Sequence, residues 1–256
     1  MSIKYKIRDF FQRSGEISLF GFRFIKTMFL PGHENASFLH QCYEVGFRSL
    51  GLVGLTGFIL GLVLTMQLRP TMIEYGVESQ IPAIVGISII REIGPVITAL
   101  IFAGKVGSGI GAELGSMRVT EQIDAMEVSG ANPFRYLVST RILACTLMLP
   151  LLVLVSDAIS LYGSYVGVNI SGNTSFQLFW TQVFDVLSVN DVLPALIKTF
   201  FFGAAVGLIG SYFGYHSQRG TEGVGRSANI SVVISSIAIF LIDLIAVQVT
   251  EILGFN

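Results

Sequence analysis

Between residues 3 and 29 the apolar positions Ile3, Ile7, Phe10, Phe11, Ile17, Phe20, Phe24 and Met28 recur at helical spacing, with Lys4, Lys6, Arg8, Arg13, Arg23 and Lys26 between them. A basic amphipathic helix of this kind lies in a membrane interface rather than crossing the bilayer. Residues 1–32 are therefore predicted to form an interfacial helix that ends at Pro31–Gly32. The pattern then changes. Residues 49–68 carry no charge, and about 20 apolar residues cross a hydrocarbon core. Comparable runs predict transmembrane helices over 44–68, 80–112, 136–167, 192–215 and 228–252. A shorter amphipathic stretch at 173–188 opens with Asn173–Thr174–Ser175 and holds the only tryptophan, Trp180. It reads as a short helix at the membrane surface. The fold class is thus an all-α membrane protein, with an N-terminal interfacial helix followed by five transmembrane helices.

Two spans carry glycine stripes, Gly51, Gly54, Gly57 and Gly61 in the first and Gly203, Gly207, Gly210 and Gly214 in the fourth. Small residues at that spacing let another helix approach closely. A denser ladder (Gly104, Gly107, Gly109, Gly111, Gly115) ends the second span and is assigned to helix packing. From Glu113 to Gly130 the pattern becomes charged and apolar in alternation, with Leu114, Met117, Glu121 and Asp124 on one helical face and Arg118, Gln122 and Met126 on the next. Asn132–Pro133 stops it. A solvated loop helix would leave its Met and Ile side chains in water, whereas a helix received in a partner's groove would bury them.

Composition agrees with membrane embedding. The chain is 52% hydrophobic and 13% charged, with mean hydropathy +0.70, against roughly 25% charged residues in soluble domains. The net charge of −1 names no partner and gives no reason to expect nucleic acid. Cys42 and Cys145 are too few for a disulfide framework, and His33, His40 and His216 are scattered, so no metal spacing appears. No cleavable signal pattern opens the chain.

Orientation follows from the basic residues of the short loops. They gather in the N-terminal segment through Arg48, around Arg118, Arg135 and Arg141, and at Arg219 and Arg226. The opposite side holds Arg69, and neither 168–191 nor the C-terminal end holds any. The N-terminus is expected in the cytoplasm and the C-terminus outside. No internal repeat is visible, which gives no support to an inverted-repeat transporter.

Charge inside a span is expensive and is a functional-site hypothesis by default. Arg91 and Glu92 precede a Gly94–Pro95 break in the second span. Counted from Gln80 at about 1.5 Å per residue, Arg91 lies roughly halfway through a 30 Å core. It must face a carboxylate, a wet cavity or an anionic ligand. Lys198 and Asp243 lie nearer the outer ends of their spans, where Lys198 is expected to snorkel. Asp157 is deeper, and no partner for it is legible. Gly104–Lys105 is not a P-loop, because Ala99 and Val106 stand where a glycine and a Ser or Thr are required.

The stretch REIGPVITALIFAGKVGSGIGAELGSMRVTEQIDAMEVSG, residues 91–130, resembles the signature region of the MlaE family, the permease subunits of ABC transporters that work with MCE proteins in phospholipid traffic across the Gram-negative envelope. The resemblance extends over nearly the whole chain. It implies one permease domain over 1–256, with 44–252 as the transmembrane region. It implies a non-catalytic inner-membrane subunit that pairs with a second copy of itself and maintains outer-membrane lipid asymmetry. Its further partners would be two cytoplasmic ABC ATPases holding ATP and Mg, a periplasmic hexameric MCE-domain protein and a small STAS-domain subunit. No cofactor is implied in this chain. Segment 113–130 would be a coupling helix, with Glu113, Arg118, Glu121, Asp124 and Glu127 facing the ATPase. Phospholipid would enter an outward-open cavity walled by Leu64, Gln67, Thr71, Met72, Tyr75, Arg91 and Glu92. Arg91 would attract phosphate and Glu92 would limit the cavity's net charge. Two other classes remain open: an ion-coupled secondary transporter or channel using Arg91, Glu92 and Asp157, and a membrane scaffold without transport.

Overall fold

The computed structural model describes residues 3–28, 35–170, 172, 174–218 and 220–254, and in the first helix the side chains from Glu16 to Thr27. Pro31–Gly32, His33, Asn173 and Arg219 lie outside the described residues, as do the side chains of Ile3, Ile7, Phe10, Phe11 and Met28. All regular structure among the described residues is helical. The helices are α1 (Ile3–Met28), α2 (Ala36–Glu74), α3 (Glu78–Val119), α4 (Gln122–Val128), α5 (Phe134–Asn169), α6 (Phe176–Val186), α7 (Val189–Tyr215) and α8 (Thr221–Ile252). Five of them, α2, α3, α5, α7 and α8, are long and apolar enough to cross a membrane. Each contains one of the predicted spans and extends beyond it. At 42 residues, α3 is roughly 60 Å long, about twice the hydrocarbon thickness, so it projects well beyond the bilayer.

These helices are not uniform. α3 widens into π-helical turns at Ile89–Ile93 and Ala103–Gly107. The first has a local cause. Pro95 has no N–H to give the Arg91 carbonyl, and its ring crowds that oxygen. The chain relaxes by widening one turn, with the Gly94 N–H donating to the Ile89 carbonyl five residues back.

The bundle is organised around α5, half of whose most apolar window is buried, against 17% for α8. Its contact with α2 is a meeting of small residues. A Cβ placed on Gly61 would collide with the Ser160 carbonyl, and one on Gly163 with the Phe58 carbonyl. That proximity lets Thr65 Oγ1 and Ser164 Oγ hydrogen-bond at 2.6 Å. On the other side of α5, Gly203 of α7 lies against the Cys145 carbonyl. The glycine ladder divides. Gly107, Gly111 and Gly115 face α7, α8 and the turn between them, whereas Gly104 and Gly109 face open space. Phe102, Leu114, Ile123, Leu149, Phe202 and Ile239 form the main buried cluster. α8 turns Phe240, Leu241, Leu244 and Ile245 outward, an apolar face of the size that meets lipid or another chain.

At one end of the bundle α1 docks through Phe20, which packs on Phe134, Tyr212, Tyr215 and His216. Glu16 accepts a hydrogen bond from the Tyr212 hydroxyl at 2.7 Å, and the Arg23 guanidinium lies 4.4 Å from the Phe134 ring centroid. Leu19, Phe22 and Ile25 stay exposed. At the far end α6 is capped by Ser175, whose hydroxyl accepts from the Leu178 N–H at 3.2 Å. It buries Phe179 and Val183 against Ile81, Val85 and Ile89 of α3.

The segment 113–130 departs from the single helix expected of it. α3 continues to Val119, and Glu121 closes it in the left-handed region at φ 59°. A short separate helix, α4, follows. Leu114, Met117, Glu121 and Asp124 therefore do not share one continuous face. Left-handed backbone costs an L-residue about 1–2 kcal/mol. The bend returns Ile123 to the core, where it is fully buried, and that contributes about 1.5–3 kcal/mol. Arg118 and Asp124 are ion-paired across the bend.

Candidate functional site

Toward the far end of the bundle, α3, α7 and α8 bring their charges together. The Lys198 ammonium donates to Glu92 Oε2 at 2.6 Å and to Asp243 Oδ1 at 2.8 Å. Its side chain is only 5% exposed, so it does not snorkel. α7 turns it inward, and the two carboxylates take the place of water. An ammonium without partners at such depth would be prohibitive, and the hydrogen-bonded pairing is what makes its burial tolerable. This corrects the sequence expectation for Lys198 and supplies the partner of Asp243.

Glu92 and Lys198 form one wall of a cleft of about 580 Å³, with Asp243 behind them, and Ser88, Arg91, Asn190, Asp191 and Glu251 also line it. Arg91 and Glu92 are consecutive, yet both reach this cleft from the widened turn. Arg91 Nε lies 3.5 Å from Asp191 Oδ1, and its side chain is 41% exposed. Asp191 is held independently, because its Oδ2 accepts from the Ser188 N–H at 2.8 Å and from the Ser188 hydroxyl at 2.7 Å. This is the capping box that starts α7. The Arg91 contact is long for a charge-assisted bond, and a guanidinium has five donors. Arg91 thus keeps donors for an incoming anion, although the carboxylates around the cleft (Asp191, Glu92, Asp243 and the lining Glu251) outnumber its two cations, Arg91 and Lys198.

The predicted cavity residues divide. Arg91 and Glu92 line the cleft. Leu64 and Met72 instead pack against the apolar cluster of Ile81, Val85 and Leu161. Gln67 and Thr71 lie exposed on the outer part of α2, and Tyr75, in the turn just after it, is 74% exposed. Within one chain, then, α2 does not wall the cleft. Sequence reasoning missed Asp191 and the link from Lys198 to Glu92. The available signal was a set of ionisable residues in separate apolar spans with no partner nearby in sequence. Asp157 of α5 is buried, with Oδ1 lacking a hydrogen-bond partner among the described residues. It lies directly against Gly94, where a Cβ would overlap that oxygen.

With this geometry in place, similarity to known proteins decides the class. The family described as Permease MlaE matches residues 38–249, which include α4 and most of the residues that line the cleft. The chain belongs to the MlaE permease family. A probable ABC transporter permease protein of Rickettsia felis is 38% identical over 242 residues, covering 94% of this chain and 93% of that protein. A probable ABC transporter permease protein of Pyropia yezoensis is 35% identical, covering 95% of this chain and 92% of that protein. The intermembrane phospholipid transport system permease protein MlaE of Haemophilus influenzae is 34% identical over 207 residues, covering 80% of this chain and 79% of that protein. This MlaE-family chain is accordingly a multi-pass membrane protein of the ABC permease class, whose members are the non-catalytic subunits of transporters.

A permease of this class works with an ATPase, and the residues expected to face one lie at the end of the bundle that carries α1. Arg141, nearly fully buried, donates to Glu113 at 2.7 Å and to the Leu137 carbonyl at 2.8 Å. Arg118 pairs with Asp124, and the Tyr215 hydroxyl of α7 donates to Glu127 Oε1 at 3.3 Å. Four of the residues expected to face an ATPase are thus also internal ties, while Glu121 stands exposed at the bend. α4 buries Ile123 and presents Gln122, Ala125 and Val128 outward. Tyr215 packs against both the main core and the aromatic cluster under α1. Tyr215 thus links α4 to α7, the helix that carries Asp191 and Lys198 at its other end.

Proposed function

We propose that this chain is the transmembrane permease of an ABC system that moves phospholipid between the bacterial inner membrane and a periplasmic MCE-protein conduit, maintaining outer-membrane lipid asymmetry. It acts as a pair of identical copies, driven by two cytoplasmic ABC ATPases. The ATPases bind ATP and Mg, and a STAS-domain subunit joins them. The observation that carries the reading is the cleft itself. It is a pocket that sets a donor-rich Arg91 beside the ion-paired Glu92–Lys198–Asp243 cluster, at the opposite end of the bundle from the bent α3–α4 segment. A phosphate enters such a site on Arg91 by competing with a 3.5 Å contact to Asp191, and the remaining carboxylates keep the cleft from holding it irreversibly. In the paired assembly, the exposed Gln67 and Thr71 of α2 and Tyr75 just after it face the shared cavity, with Leu64 and Met72 behind them. Phospholipid as cargo is further supported by the similarity to the intermembrane phospholipid transport permease of Haemophilus influenzae.

Arg91→Ala tests the cleft. The purified complex is expected to assemble normally while phospholipid co-purification falls about tenfold, the loss of one charge-assisted contact of roughly 1.5 kcal/mol. Assembly failure, or lipid retention equal to wild type, would make Arg91 structural and remove the assignment.

In this orientation the α1 end is cytoplasmic and the cleft opens toward the periplasm, following the distribution of Lys and Arg. Leu253→Cys is expected to react with an impermeant thiol reagent in spheroplasts and Glu222→Cys is not. The reverse labelling would invert the topology. α4 is the ATPase contact. Glu121→Lys reverses an exposed charge without touching the internal ties and is expected to reduce ATPase co-purification several-fold. Normal co-purification together with normal transport would exclude this surface.

A further inference from the structure

Beside the cleft, on an exposed apolar side of α7 and α8, lies a second cavity of about 440 Å³. Its walls are two stripes at helical spacing, Leu193, Ile197 and Phe201 on α7 and Ile245, Val249 and Leu253 on α8. All six side chains are exposed, and the lining is almost wholly apolar. The groove and the cleft share Pro194, Lys198, Ala246 and Thr250. Lys198 therefore belongs to both, its methylene stem to the groove and its ammonium, held by Glu92 and Asp243, to the cleft.

We infer that the α7–α8 groove holds an acyl chain of the phospholipid whose headgroup occupies the cleft. This rests on the reading of the cleft as a phosphate site. The occupant follows from the change in polarity across the shared rim. A ligand that spans a charged pocket and an adjoining dry groove of comparable size must itself be charged at one end and apolar at the other. Both volumes fall in the usual range for small-ligand sites, roughly 300–1,000 Å³. The groove is exposed on the outer face of two helices long and apolar enough to cross a membrane, so in a bilayer a chain enters it sideways without leaving hydrocarbon. The headgroup alone then crosses the rim at Pro194 and Ala246. A protein helix laid in the same groove would meet the six apolar side chains but would leave the adjoining charged opening without a matching group.

The test uses the full chain in nanodiscs of phosphatidylethanolamine and phosphatidylglycerol containing a trace of phosphatidylglycerol with a nitroxide on its acyl chain. Wild type is expected to show an immobilised spectral component. Ile197→Trp and Val249→Trp fill the groove without touching the cleft and are expected to reduce that component about tenfold. Ile237→Trp, on an exposed part of α8 outside the groove, is expected to leave it unchanged. Ile197→Ala and Val249→Ala, which preserve folding more readily, are expected to lower it to a lesser extent. An unchanged immobilised component in all four groove variants overturns the proposal. So does disulfide cross-linking of two copies through Ile245→Cys, which would make the groove a contact between chains. The two readings fail separately. Loss of phospholipid retention in Arg91→Ala with no effect of groove filling overturns the groove alone, whereas retention insensitive to Arg91→Ala overturns the cleft.

Discussion

Lys198→Met is expected to destabilise the folded chain by about 3–5 kcal/mol, the usual cost of removing one member of a buried ion pair. The substitution preserves the side chain's length and most of its packing. What it removes is the one cation between Glu92 and Asp243, which approach its ammonium to 2.6 and 2.8 Å. Two carboxylates would then stand side by side with no neutralising partner, Asp243 largely buried and Glu92 open to the cleft, and their repulsion would add to the desolvation of Asp243. Thermal unfolding of the purified protein should move down by roughly 10 °C, given the usual 2–4 °C per kcal/mol for a chain of this size. Adding Glu92→Gln and Asp243→Asn to Lys198→Met removes the unpaired charges, and most of the lost stability should return. If the triple variant is no more stable than Lys198→Met, the loss comes from packing and the electrostatic account of the cluster is wrong.

Gly61→Ala is expected to have the second large effect. A single methyl at this position would collide with the Ser160 carbonyl of α5, and backbone cannot rotate aside as a flexible side chain can. α2 and α5 must separate, which breaks the 2.6 Å contact between Thr65 and Ser164 and loosens the apolar contacts of Leu60 and Leu64 with Leu161. Overpacking of this kind costs about 1–3 kcal/mol, and Gly61 should fall at the upper end. Gly51→Ala is the internal control. It belongs to the same stripe, but a Cβ there meets nothing within 4 Å. Alanine is the better helix former by up to about 1 kcal/mol, so Gly51→Ala should be neutral or stabilising. Equal behaviour of the two variants in thermal unfolding would contradict the described α2–α5 contact.

The contrast between Gly51 and Gly61 shows where the sequence stops being informative. Apolar runs as long as a bilayer is thick have few alternatives, so the five membrane-crossing helices were legible from hydropathy. The glycine stripes announced close helix contact but not which members made it, because that depends on how far α2 lies alongside α5. The bend at Thr120–Glu121 carries no glycine or proline, and the helical period of 113–130 runs straight through it. The burial of Ile123, a tertiary effect, decides the conformation. The charged cleft was half legible. Arg91 and Glu92 stood out because charge is rare at that depth. Lys198 is 106 residues from Glu92 and 45 from Asp243, and no local pattern links partners so far apart. Leu64, Gln67, Thr71, Met72 and Tyr75 came from family resemblance. Their place at a cavity requires a second copy, and a single chain does not bring them to Arg91.

The central claim is that this permease moves phospholipid only when an ATPase drives it. The direct measurement is transfer of a fluorescent phospholipid from proteoliposomes containing the purified chain, with and without its ABC ATPase and ATP, to an MCE-domain acceptor. Transfer in either direction should require the ATPase and hydrolysable ATP, and it should fall with Arg91→Ala. Ion flux through the chain alone, driven by a gradient and abolished by neutralising Glu92 or Asp157, with no ATP-dependent lipid transfer, would contradict the account and establish an ion-coupled transporter instead.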